Sequence, residues 1–270
     1  MTRKFSFSLS RKHFAVPYMA FLALFVIVPL VMLFVNAFMA ADGSFTFANF
    51  AKFFTEKTGL LTFLESMLIG AITTVLCFFI GYPIAYILSN PKYNKTTVLI
   101  FLFILPMWIN FLLRTIAMKE LLEMLNVELG YGTILLGMVY DFLPFMILPI
   151  YTTLTNIDKS YVEASEDLGA KPMQVFFKTI LPLSVPGIVS GVMMVFMPTM
   201  SSFVISDMMS NNTILLFGSR INRYFTNATD VSQKVGSAYS LILLIVIGIT
   251  VLLSKKLNKN QVPAKGGDLW

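Results

Sequence analysis

Apolar residues along this chain gather into six long blocks, at about 14–39, 64–88, 98–118, 132–155, 183–206 and 236–254, with short polar runs between them. A hydrocarbon layer about 30 Å thick is crossed by roughly 20 helical residues at 1.5 Å each, so every block spans a bilayer or nearly does. The pattern predicts an all-α integral membrane protein. Six transmembrane helices fill a single domain over 14–254, between tails at 1–13 and 255–270. Pro106 falls in the third block, Pro144 and Pro149 in the fourth, and Pro198 in the fifth. Neighbouring helices can re-satisfy the carbonyls that proline frees, so these positions are expected to kink their helices and not to break them. The basic start, MTRKFSFSLSRKHF, resembles the charged part of a signal sequence. The apolar block behind it exceeds the roughly 7–15 residues of a cleaved leader and is expected to remain as the first span.

Composition agrees with the blocks. Of 270 residues, 57% are hydrophobic and 13% charged, against about 45–50% and about 25% in soluble domains. Mean hydropathy is +0.78. The formal charge of +6 is scattered over loops and tails and forms no basic face, so it argues for membrane orientation and against nucleic acid. With a cytoplasmic N-terminus, thirteen of the twenty lysines and arginines fall on cytoplasmic segments. Four lie in the first tail, two near 92–95, three in the loop of about 157–182 and four beyond 254. Both termini are then cytoplasmic, as six spans require.

That loop carries the most regular polar pattern in the chain, EASEDLGAKPMQVFFKTILPLSVPG from Glu163 to Gly187. Asp158 or Ser160 can cap a short helix, and Gly169 stands where a left-handed residue ends one. Pro172 suits the first turn of a second helix, and Pro182 is expected to close it. Met173, Phe176, Phe177 and Ile180 recur at spacings of three and four, one apolar face. Such a face serves a connector lying on lipid, or it serves a protein partner.

Glu163-Ala164-Ser165, Gly169 and Leu181-Pro182 together resemble the EAA loop of bacterial ABC importer permeases. Ser165 replaces the usual second alanine and Thr179 a usual isoleucine. GYPIAYIL, ILPMWINFLLRTIAMK, GMVYDFLPFMILPIY and LPLSVPGIVSGVMMVFMP are similar to the B-type permeases of spermidine/putrescine importers, over roughly residues 65–210. The resemblance implies a multi-pass subunit of the bacterial inner membrane that pairs with a second, related permease as a heterodimer. It also implies two cytoplasmic ATPase subunits and an extracytoplasmic polyamine-binding protein. Glu163, Ala164, Gly169, Phe176, Phe177 and Pro182 are then the residues that couple to the ATPase. The alternatives are a permease of the same architecture for another small solute, or a secondary transporter acting alone.

Catalytic chemistry finds no foothold. The chain has no GxxxxGK[ST] loop and no GxSxG elbow, and one histidine (His13) with one cysteine (Cys77) makes neither a metal cluster nor a nucleophile pair. No cofactor is expected. The informative residues are polar groups inside apolar blocks. A lipid-facing Asp141 would cost roughly 2.5–3.5 kcal/mol, so it faces the bundle or a wet path. It serves as counter-charge for a cationic amine, or as ion-pair partner of Arg114, or it lies at the interface. Arg114 would repel a polycation, which favours a structural partner or a snorkelled position for it. Trp108, with Asn110 beside it, offers an indole face worth roughly 0.5–2 kcal/mol to an ammonium group, or else packs at an interface. Tyr140 and Tyr151 are weaker versions of the same case, and Asp207 could greet a cation at the outer end of the fifth span. Gly187 and Gly191 form a GxxxG pattern that permits close helix approach.

Overall fold

The computed structural model describes residues 11–90, 94, 98–227 and 229–259. The terminal tails beyond those limits, with Lys92 and Lys95, lie outside the described residues. Among the described residues, five helices are long and apolar enough to cross a membrane, and a bent pair makes a sixth span if counted as one. The first span joins α1 (Arg11–Leu22), a π-helical turn and α2 (Val28–Ala37). A short α3 (Ala48–Thr55) leads into α4 (Lys57–Ser89). The bent pair is α5 (Val98–Ile104) and α6 (Phe111–Met124), and α7 (Tyr131–Thr155) follows. The charged loop forms α8 (Lys159–Asp167) and α9 (Pro172–Val175), and α10 (Leu181–Ser201) returns across the membrane. The short α11 (Val204–Met209) and α12 (Phe217–Thr226) precede the last span, α13 (Asp230–Lys259).

Helices α4, α7 and α10 pack on one another as the centre of the bundle. Cys77, Ala85, Met146, Ile147, Ile150 and Val195 meet there, fully buried. The GxxxG pair makes this approach possible. A Cβ on Gly187 would stand 2.5 Å from Thr153 Oγ1 and 2.7 Å from the Pro149 carbonyl, and one on Gly191 2.7 Å from Met146 Sδ. Because lipid tails are as apolar as the side chains, such contact and packing, not water exclusion, hold the helices together.

A second cluster ties the chain's ends to the centre. Phe53, Phe217 and Tyr239 stack or meet edge to face around α13. The Phe217 amide donates to Ser66 Oγ at 2.7 Å, which satisfies one of the free N–H groups at the start of α12. Ser66→Ala would leave that buried donor unpaired, and we expect a loss of about 1–3 kcal/mol, read as a lowered melting temperature in detergent. The free carbonyls at the end of α2 are handled similarly: Asn49 Nδ2 donates to Ala37 O and Met39 O, both at 3.0 Å. By contrast, the span Val16–Ala37 has no buried share of its apolar window and meets the bundle at its C-terminal end, where α2 packs on α13 and takes the Asn49 bond from α3.

Two expectations about proline change. Pro144, Pro149 and Pro198 lie inside unbroken helices, but at Pro106 the third span breaks, and its halves meet at 90°. The chain tightens into a 3₁₀ turn over Leu105–Trp108, then runs extended through Ile109 and Asn110. Asn110 caps the new helix by accepting from the Leu112 amide at 2.9 Å. A missing N–H is tolerated where the next turn is still helical; here a capping residue starts a separate helix instead. Pro182, for its part, does not close the second loop helix. The helix continues over Pro172–Ser201 through a π-helical turn at Phe176–Ile180, which widens the backbone just where the proline ring would meet the preceding carbonyls.

Candidate functional site

The break in the third span opens a cleft of about 480 Å³ between α6, α7 and α10. Its walls carry Trp108, Asn110, Arg114 and Asp141, with Phe142, Phe145 and Ser202 among the remainder. Trp108 is 85% exposed, its indole unclaimed by packing within the chain. Asn110 keeps its side-chain oxygen on the helix cap. Asp141 is buried at 3% exposure on α7 and Arg114 at 7% on α6. Arg114 reaches the carboxylate through one terminal nitrogen, at 2.8 Å from Oδ1. Thr115, the next residue on α6, donates to Oδ2 at 3.2 Å. The ion pair with Arg114, one of the roles open to Asp141, is formed here.

The other sequence-derived candidates are distributed elsewhere. Tyr140 faces a neighbouring cleft of about 540 Å³ on the far side of Arg114, with its ring centre 5.7 Å from the guanidinium carbon. Tyr151 lies ten residues past Asp141, about 15 Å further along the helix. There it lines a third cleft of about 730 Å³ with Tyr86, Glu163 and Glu166. Asp207 sits on α11, outside the wall to which its neighbour Ile205 belongs, with a buried Oδ1 that has no hydrogen-bond partner among the described residues. Thr115, Phe142, Phe145 and Ser202 carried no mark in the sequence; a hydroxyl or phenyl ring in an apolar block looks like any other.

The charged loop folds as a helix, a left-handed glycine and a helix. Asp158 caps α8 by accepting from the Ser160 amide at 3.0 Å, and that bond holds its carboxyl below the usual range. Gly169 has φ of +80°. Its amide donates to Glu166 O at 2.8 Å and that of Ala170 to Ser165 O at 3.2 Å, the paired bonds of a glycine-terminated helix. Open space surrounds Gly169, so the backbone angle and not crowding demands glycine. The apolar face splits in two. Phe176 turns inward, edge-on to Tyr82 and Tyr86 at 5.9 and 5.2 Å, while Met173 and Phe177 remain exposed. Glu163 and Ala164 stand exposed on α8. The two residues that depart from the usual loop pattern touch each other: Thr179 Oγ1 donates to Ser165 Oγ at 3.3 Å, joining α8 to the π-helical turn.

Residues 3–259 match the family described as binding-protein-dependent transport system inner membrane component. The chain is 32% identical to the spermidine/putrescine transport system permease protein PotB of Haemophilus influenzae, across 89% of this chain and 91% of that protein. It is 32% identical to the PotB protein of Escherichia coli K12, across 88% and 95% respectively. Among solved structures, it is similar to a chain of a bacterial alginate ABC transporter, with a TM-score of 0.68 and 12% identity over 92% of this chain and 93% of that one. It also resembles a chain of the inward-facing MetNI methionine ABC transporter, with a TM-score of 0.59 and 17% identity over 74% and 94%. These two likenesses concern the fold.

Proposed function

Since the chain belongs to the family of binding-protein-dependent transport system inner membrane components, we propose that it is the permease subunit of an ATP-driven importer for polyamines, spermidine and putrescine. The observation that carries the substrate is the match to spermidine/putrescine permeases along nearly the full length of both chains. The cleft supports it. A polyamine alternates ammonium groups with methylene segments, and the wall pairs a carboxylate with an exposed indole that can accept either. The path forms where this chain meets a second, related permease, and a separate pair of ATPases drives it from the cytoplasmic side. An external binding protein delivers the amine. Both termini lie in the cytoplasm, and this subunit hydrolyses no ATP itself.

The α8–α9 loop is then the mechanical contact with an ATPase. A helix pair held at a fixed angle passes on a rotation; a loose loop does not. Gly169→Val forces a β-branched residue into a left-handed backbone, at a cost on the order of 1–2 kcal/mol, and tilts α8 relative to α9. We expect six spans and normal membrane levels, with binding-protein-stimulated ATP hydrolysis reduced at least several-fold in the reconstituted complex. Normal stimulation would make the loop an ordinary connector.

The direct test is uptake of labelled spermidine into proteoliposomes holding both permeases, the ATPase and the binding protein. Accumulation should require all of them and ATP. Trp108→Leu should lower the rate several-fold without lowering protein level. Energised uptake by this chain alone would point to a secondary transporter, and uptake of a non-amine in place of spermidine to another solute.

A further inference from the structure

Arg114 and Asp141 share a wall of the cleft, yet they make an ill-matched pair. A guanidinium usually grips a carboxylate through two parallel bonds. Here one terminal nitrogen makes the 2.8 Å contact, while Nε and the other terminal nitrogen are buried without a hydrogen-bond partner among the described residues. Oδ1 accepts no well-aligned hydrogen bond either, so the attraction is Coulombic. Asp141 has a second contact in Thr115, whose hydroxyl is shared between Oδ2 at 3.2 Å and the Phe111 carbonyl at 2.9 Å. Arg114 in turn has a second seat. It lines the neighbouring cleft of about 540 Å³ as well, and its guanidinium carbon already lies 5.7 Å from the centre of the Tyr140 ring.

We propose that Arg114 is a resident stand-in for the substrate. It neutralises Asp141 while the path is empty, and it yields the carboxylate to an incoming alkylammonium group by moving onto Tyr140. This rests on the polyamine assignment and deepens it. One cation replaces another, so the buried carboxylate never stands unpaired, the state that makes breaking such pairs costly. A neutral or anionic solute cannot make the exchange, which turns Arg114 into a determinant of specificity by exclusion. Arg114 also sits on the half-helix that begins just past the 90° bend. Its departure therefore acts on the half-helix that packs against α7 and α11.

Equilibrium binding of labelled spermidine to the assembled transporter, without the binding protein, tests the exchange. If Arg114 holds the seat nine-tenths of the time or more, Arg114→Gln should tighten binding by about tenfold or more, and Arg114→Lys should bind much as the parent does. Tyr140→Leu should weaken binding several-fold in the parent and have no effect in the Arg114→Gln background, since the second seat matters only to a displaced arginine. Unchanged or weaker binding in an assembled Arg114→Gln complex overturns the proposal. If that variant fails to assemble, Tyr140→Leu decides, and unaltered affinity overturns it. A parent that neither binds nor imports spermidine overturns the polyamine assignment along with it. That result is distinct from a parent that binds while Arg114→Gln gains nothing.

Discussion

Asp141→Ala should leave the protein about 3–5 kcal/mol less stable and bring spermidine uptake to background. The loss has two separable parts. Arg114 is 7% exposed and, among the described residues, has its 2.8 Å ionic contact with Asp141 alone, so removing the carboxylate leaves a buried cation with the Tyr140 ring as its remaining partner. Thr115 loses the more distant of its two acceptors, at 3.2 Å, and keeps the Phe111 carbonyl at 2.9 Å. Removing both charges, as Arg114→Met with Asp141→Ala, should restore much of the stability, because a buried pair replaced by apolar groups is often close to neutral. Uptake should stay at background in the double variant, since the carboxylate is still missing. Thermal unfolding in detergent together with proteoliposome uptake checks both parts. A double variant that transports would show the pair to be structural alone.

The second large effect is expected at Gly187. Valine there places its first carbon 2.5 Å from Thr153 Oγ1 and 2.7 Å from the Pro149 carbonyl. The hydroxyl can rotate away; the backbone oxygen of α7 cannot. Overpacking commonly costs about 1–3 kcal/mol and more where backbone must shift, and α7 and α10 are central to the bundle. Gly187→Val should therefore remove most folded protein from the membrane fraction, measured by abundance and by the monodisperse share after extraction. Gly248→Val, at a site with nothing within 4 Å of the added carbon, should do neither. Equal behaviour of the two variants would show that close contact at Gly187 is dispensable.

The spans were legible because lipid imposes the same requirement on every segment that crosses it, and apolar blocks record that requirement directly. The break in the third span was not, since Pro106 looks no different from Pro144 or Pro198. The distinguishing mark was Asn110, a capping residue placed just before a fresh apolar run. Helices α3 and α12 were hidden because they lie between blocks and cross nothing. In the cleft, Arg114 and Asp141 stood out as charges in apolar surroundings, and Trp108 as a lone indole. Thr115, Phe142, Phe145 and Ser202 enter only through three-dimensional proximity. Tyr151 and Asp207 show the reverse: suited in type, they lie away from the wall, Tyr151 about 15 Å further along its helix by residue count. Ser165 and Thr179 depart from the loop pattern fourteen residues apart. Folded, they form a hydrogen bond with each other.

The lone first span bears on how the protein is made. Its lower end is held by α13, through Ala37 against Ala238 and Leu241 and through Lys234 Nζ donating to Ala40 O at 2.8 Å, 194 positions apart in the chain. At about 5–20 residues per second, a ribosome needs roughly 10–40 s to travel that distance. Throughout that interval the first helix to enter the bilayer waits for α13 with the Asn49 bonds of α3 at its end, while α4, α7 and α10 can already assemble beside it. The circle closes only when the last helix arrives. A nascent chain halted before residue 230 thus holds a formed centre and a first helix tied to it through Asn49 of α3 but not yet through α13.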